Sequence, residues 1–154
     1  MDLADLIAPE AVYPSLKAKT KRQALQELAQ KAAALTKIDA REIFDTLLQR
    51  EHLGSTGVGR GIAIPHGRLA PLKSIVSVFA RLDEPIDFEA LDNEPVDLIF
   101  LLLAPEHAGA DHLKALARIS RLLREPASIE KLRTSHDRVA LYAVLTQPAA
   151  VHAA

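Results

Sequence analysis

A single α/β domain is predicted, a small mixed sheet of roughly four to six strands with helices on both faces. Two capped amphipathic helix patterns come before any strong strand signal, and further helix patterns follow the last one. Between them lie two β runs: Ile75–Leu82 alternates and is rich in β-branched residues, and Val96–Leu103 is apolar at nearly every position. The 154 residues are 49% hydrophobic and 25% charged, which suits one compact core. Residues 1–154 are read as one domain, with 146–154 as a frayed tail.

In chain order, Leu3, Leu6 and Ile7 have helical spacing, and Pro9 ends that short element. Val12–Leu16 contains Pro14 and is predicted as an edge strand. Thr20 and Gln23 form a capping box, and Ala24, Leu25, Leu28, Ala29, Ala32 and Leu35 then make one apolar stripe. Asp39 and Glu42 repeat the device ahead of Ile43, Phe44, Leu47 and Leu48, and this second helix runs to about Arg50. Ile62–Ile64 reads as a brief extended piece. Asp83–Pro95, acidic and with two prolines, is predicted to turn, with a short pairing near Ile86–Phe88. Val96–Leu103 is the central strand, covered on both faces. A helix from about Asp111 to Arg124 is expected to turn Leu113, Leu116, Ala117, Ile119, Ser120 and Leu123 inward. Shorter helices follow near Ser128–Arg133 and Asp137–Leu145, separated from the first by Pro126.

Composition removes several function classes. A formal net charge of -1 gives no bulk attraction to nucleic acid or anionic membrane. The basic cluster Lys17–Arg22 has no interleaved aromatic residue and reads as a solvated helix start. With no cysteine there is no disulfide, thiolate chemistry or Cys-based zinc site. The acidic N-terminus has no signal-peptide pattern, and the longest apolar run, Leu98–Ala104, is far short of a membrane span. A cytoplasmic protein without membrane insertion is expected.

The chemistry concentrates in Gly54–Arg68, which carries five of the six glycines and sets His66 between Pro65 and Gly67. Pro65 biases Ile64 towards extended backbone, and Gly67 is expected to let the chain turn sharply. The imidazole would then stand at the mouth of a loop with open space around it, suited to nucleophilic or acid–base work near neutral pH. The plain alternative is a turn whose histidine faces water. No Gly-Lys-Ser/Thr ending makes a P-loop, and the glycines follow a helix rather than a strand, so nucleotide binding is not expected. His112 falls in the first turn of its predicted helix, where free N–H groups favour an anion, and Arg50 could supply a fixed positive charge with forked donors. His66, His112 and Arg50 together suit a phosphoryl group. Singly, His112 and Arg50 read as a surface residue and a helix-end cation. His107 and His112 lack the i, i+4 spacing of helical metal ligands, and His52, His136 and His152 show no ligand pattern. A zinc site from His66, His112 and one of Asp87, Asp92 or Asp111 stays open as an alternative.

The run Arg50-Glu-x-x-Gly-Ser-Thr-Gly-Val-Gly-x-Gly-Ile-Ala-Ile-Pro-His-Gly67 resembles the active-site signature of the mannitol/fructose/nitrogen-type EIIA domains of the bacterial phosphotransferase system. The pair His112-Leu113 and the segment Asp92-Asn-x-Pro-Val-Asp-Leu98 are similar to that family too, and the likeness covers nearly the whole chain. It implies that His66 accepts a phosphoryl group on Nε2 from an HPr-type phosphohistidine donor, with Arg50 and His112 as the other active-site residues and no cofactor. Asp92-Asn93 with the glycine-rich run resembles the nitrogen-regulatory type, whose phosphorylation state regulates partner proteins. The alternatives are a sugar-specific EIIA passing the group to a separate EIIB, and an unrelated metal-dependent hydrolase or binding module. Neither an EIIB cysteine nor a membrane-spanning EIIC segment is present in the chain. The glycines are expected to keep the approach to His66 clear, and an apolar surface around Leu53, Ile62 and Ile64 to receive the donor.

Overall fold

The structure is a computed structural model and describes residues 2–148. Two 3₁₀ turns, Leu3–Asp5 and Pro9–Ala11, lead into β1 (Val12–Leu16), α1 (Lys21–Thr36) and α2 (Ala40–His52). Three short strands follow: β2 (Gly57–Gly59), β3 (Ile62–Ala63) and β4 (His66–Leu69). The long strands β5 (Val76–Ile86) and β6 (Val96–Pro105) come next, then α3 (Ala110–Leu122), α4 (Pro126–Thr134) and α5 (Arg138–Leu145).

The sheet has six strands in the order β1-β5-β6-β3-β2, with β4 also on β6. It is mixed: β5 runs antiparallel to β6, while β1 lies parallel to β5, and β3 and β4 parallel to β6. β1 is the predicted proline-bearing edge strand. Residues Leu98–Ala104 of β6 are fully buried, because helices cover both faces of the sheet. α1 and α2 pack together and onto β5 and β4, whereas α3 and α4 pack on β6 and α5 on β1.

Both predicted caps form, with altered partners. Thr20 accepts from Gln23 N at 3.1 Å, but the Gln23 side chain returns to Lys19 N rather than to Thr20. Asp39 accepts from Arg41 N at 2.9 Å, so Glu42 is not its capping partner. The buried face of α3 differs more. His112, Ala115, Arg118, Ile119 and Leu122 point inward, while Leu113 is 67% exposed. Of the residues expected inside, Ile119 and Leu123 are buried, whereas Ala117 is exposed and Leu116 and Ser120 are only half-buried. At the chain's end, Gln147 O accepts from Arg118 and Gln147 Nε2 donates to Ser128, both within hydrogen-bond distance. Residues 149–154 of the expected tail lie outside the described residues. No helix among the described residues is long and apolar enough to cross a membrane.

Three of the glycines build the hairpin β2–β3: Gly57 and Gly59 lie in β2, and Gly61 in the turn that follows it. Gly61 has φ +78°, and a Cβ there would stand 2.8 Å from Asp97 Oδ1 and collide with the Arg133 guanidinium. Arg133 and Asp97 form an ion pair at 2.9 Å that ties α4 to the start of β6. Gly61→Ala is therefore expected to cost about 2 kcal/mol, from left-handed backbone strain plus overpacking. A scanning thermal melt should show Tm lower by roughly 4–8 °C; an unchanged melt would mean the hairpin yields without penalty.

Candidate functional site

β3 and β4 lie end to end along one side of β6, with Ile64–Pro65 at the break between them. Proline has no N–H to give to a ladder, and the break leaves the Ile64 carbonyl for other uses. Ile64 N donates to Thr56 O at 2.9 Å, Leu102 N donates to Pro65 O at 2.9 Å, and β4 then resumes pairing with His66 opposite Leu102. His66 is therefore the first residue of a strand and half-buried, which corrects the expectation of a loop histidine in open space. Gly67 makes no sharp turn. A Cβ on it would sit 2.8 Å from Thr46 Cγ2, so its bareness lets α2 approach β4.

That approach brings Arg50, in the last turn of α2, to His66. Arg50 Nε donates to His66 Nε2 at 3.2 Å, and Arg50 Nη1 donates to Gly54 O at 3.0 Å. On the other side of the ring His66 Nδ1 lies 2.9 Å from Ile64 O. A carbonyl only accepts, so Nδ1 carries the proton, and Nε2 is left with the lone pair that Arg50 meets. The loop between α2 and β2 is pinned by Glu51, which is buried. Its carboxylate accepts from Thr56 N at 3.0 Å and from the Thr56 hydroxyl at 2.5 Å, and pairs with Lys21 Nζ at 3.0 Å. The pinned loop fixes the Gly54 carbonyl that holds Arg50.

His112 reaches the same place from the first turn of α3. The rings of His66 and His112 meet edge to face, with centroids 5.8 Å apart. The three predicted residues are thus together. Arg68, to which the sequence reading gave no role, joins them: its Nε donates to His112 Nδ1 at 3.2 Å. The partners are 44 residues apart in the chain, so only the period-two pattern of a strand, placing residues 66 and 68 on one face, offered a signal. His112 Nε2 is buried with no hydrogen-bond partner among the described residues.

Both imidazoles are held below their ordinary pKa. For His66 the main cause is burial, with the Arg50 charge adding to it against the raising effect of the Ile64 carbonyl. For His112 it is burial, then His66 and the Arg68 charge. Both rings are therefore neutral at pH 7. The sign for stability follows. Above about pH 6.5 neither folded nor unfolded histidine is protonated; below it the unfolded chain takes up protons that the folded site refuses. Stability present above pH 6.5 is expected to drain away as pH falls towards the folded values, and urea midpoints across pH 7.5 to 5 should show it. A His66→Gln/His112→Gln double variant should lose that part of the slope.

The expected apolar reception surface is corrected in part. Leu53 is 84% exposed, but Ile62 and Ile64 are buried, and the exposed apolar side chains next to site residues in the chain are Leu53, beside the Gly54 that holds Arg50, and Leu113, beside His112. Asp92 is committed elsewhere, accepting from Arg60 N and Glu94 N at 3.0 Å, and these bonds hold its carboxyl below the usual range. Asp87 accepts from Glu89 N. Among the described residues no three His, Asp or Glu side chains come together as metal ligands would. The site can present one neutral imidazole nitrogen, met by an arginine, to an electrophile, beside a second imidazole whose Nε2 has no hydrogen-bond partner among the described residues.

Comparison with known proteins gives consistent matches. Residues 5–147 match the family described as phosphoenolpyruvate-dependent sugar phosphotransferase system, EIIA 2. A nitrogen regulatory protein of Bradyrhizobium diazoefficiens is 61% identical over 153 residues, covering 99% of this chain and 100% of that one. One from Pseudomonas aeruginosa is 40% identical over 144 residues, 93% of this chain and 94% of its own. Among solved structures, the nitrogen regulatory protein IIA-Ntr of Neisseria meningitidis superposes with a TM-score of 0.89 at 33% identity, over 94% of this chain and 99% of that one.

Proposed function

Since the chain belongs to the phosphoenolpyruvate-dependent sugar phosphotransferase system EIIA 2 family, in its nitrogen-regulatory branch, we propose that His66 carries the phosphoryl group in a phosphohistidine relay. The observation that supports this best is the hydrogen bonding of the imidazole: Nδ1–H is occupied by Ile64 O at 2.9 Å, which leaves the lone pair on Nε2, where Arg50 Nε meets it at 3.2 Å. In the proposed step that pair attacks the phosphorus of an HPr-type phosphohistidine. The new N–P bond forms as the donor's N–P bond breaks, and the donor imidazole leaves with the bonding electrons. Charge on the three equatorial oxygens is met by Arg50, by the unpaired Nε2–H of His112, and by the first turn of α3, which has no side-chain cap.

Leu53 follows the turn that holds Arg50, and Leu113 follows His112; both are exposed and offer the donor apolar contacts beside the site. Phosphorylation adds about -1.5 to -2 charges there, which changes which regulatory target or separate EIIB can dock. This relay is placed in the cytoplasm, where its donor would be made. The test is intact-protein mass spectrometry after incubation with phosphoenolpyruvate, enzyme I and an HPr-type donor. One acid-labile phosphoryl group is expected. Failure to accept from any donor of this class would overturn the reading.

A further inference from the structure

We propose that Arg68 is a positioning residue, which holds His112 in the one neutral tautomer that turns an N–H towards the phosphoryl site. The inference rests on His66 being the acceptor, but its geometry is separate. β4 alternates its side chains, so His66 and Arg68 share a face, with Gly67 opposite them against α2. α3 brings His112 to that face, edge-on to His66 and within hydrogen-bond reach of Arg68 Nε. Arginine donates and never accepts. Its contact at 3.2 Å therefore requires a lone pair on His112 Nδ1, and the ring's proton must sit on Nε2. That is the buried nitrogen left without a partner. A buried donor with nothing to bind is costly, and it is tolerated here because its acceptor arrives with the phosphoryl group.

The same contact excludes the imidazolium, in which both nitrogens would be donors and Nδ1–H would face the guanidinium. The titratable and charged groups about His112 are His66 and Arg68 on β4. β6, packed beneath α3, presents only apolar side chains from Leu98 to Ala104. Asp2 and Asp5, at the 3₁₀ turn that also packs on α3, are exposed, as are Asp111 and Lys114 on the helix itself. Arg50 acts on His66 from α2. The guanidinium of Arg68 has no hydrogen bond among the described residues other than that to His112, so the side chain has no separate structural duty visible in the fold.

The test uses Arg68→Met, which keeps the apolar stem and removes donor and charge, beside Arg68→Lys, which keeps a donor and the charge. Imidazole nitrogen shifts of His112 are followed by NMR across pH 5 to 8, and phosphoryl transfer from an HPr-type donor is timed on the same samples. In wild type His112 Nδ1 should stay a lone-pair nitrogen throughout the neutral range. In Arg68→Met its titration should move up towards the ordinary value near 6.5, and transfer should slow about ten- to a hundredfold, the range for outer partners that orient a working histidine. One phosphoryl group per chain should still be reached, and Arg68→Lys should recover most of both effects. Unchanged His112 shifts in Arg68→Met would overturn the proposal, whatever the transfer rate. If wild type accepts no phosphoryl group, the reading of His66 fails, while the nitrogen shifts still decide the role of Arg68.

Discussion

His66→Ala should accept no phosphoryl group from the donor that loads the wild type, a loss at least on the order of 10⁴-fold, as when a nucleophile is deleted. The size of the effect comes from the lack of a substitute. His112 stands 5.8 Å away between ring centroids, but its Nδ1 is taken by Arg68 and its Nε2 carries the proton. Its only lone pair, on Nδ1, is engaged by Arg68, and Arg50 donates to His66 and not to it. His52, His107 and His136 are exposed, and among the described residues none of their rings takes a hydrogen bond from Arg50, which donates to His66. The half-buried position of His66 makes the variant tolerable to the fold, and a thermal melt within a few degrees of wild type would separate lost chemistry from lost structure. His112→Ala should behave differently, slowing transfer by about 10²-fold while the final adduct remains, since it supplies a donor and not the attacking atom. A stable adduct on His66→Ala would move the acceptor elsewhere.

The parts of this site that sequence reasoning found, and the parts it missed, divide along physical lines. Uniform burial is loud: Leu98–Ala104 announces a central strand because no polar residue interrupts it. Capped helices are loud too, and α2 could be followed to Arg50. Short strands are quiet. β2 and β4 hold three and four residues, with glycines where a packed side chain would have signalled alternation, so His66 looked like a loop residue. On α3 two stripes compete at the same helical spacing. Residues 113, 116 and 123 are leucines with Ser120 among them, yet of these only Leu123 is buried, whereas the stripe that packs inward, 112, 115, 119 and 122, begins with a histidine. Arg118, also buried, counts against that face as well. The polar residues that misled the periodicity are the proposed site histidine and an arginine that ties the chain's end down, the kind of position where local pattern is expected to yield. Arg68 could not be assigned because nothing local to β4 states what lies across the groove from it.

Arg50→Ala is expected to slow phosphoryl transfer by about 10²- to 10³-fold, the usual loss when one preorganised donor to a developing charge is removed. Before transfer Arg50 Nε meets the Nε2 lone pair of His66 at 3.2 Å, while Nη1 is anchored on Gly54 O. When that lone pair becomes the N–P bond, the guanidinium needs only a small shift to meet phosphoryl oxygens with its remaining N–H groups. Arg50→Lys keeps the charge but has no fork, and so cannot hold Gly54 and the phosphoryl group together; an intermediate rate is expected. The charge has a second effect with a definite sign. Burial is the larger cause of the lowered His66 pKa, and Arg50 adds to it, so Arg50→Ala should let that pKa rise. Transfer needs neutral His66. The acidic limb of the rate profile should therefore lie at higher pH in Arg50→Ala than in wild type, with Arg50→Lys close to wild type. Single-turnover transfer measured from pH 5 to 8 separates the two roles: the drop at high pH reports stabilised charge on phosphorus, and the displacement of the limb reports the held proton balance of His66. A variant with wild-type rate at pH 8 would leave Arg50 only the second role, and one with an unmoved limb only the first.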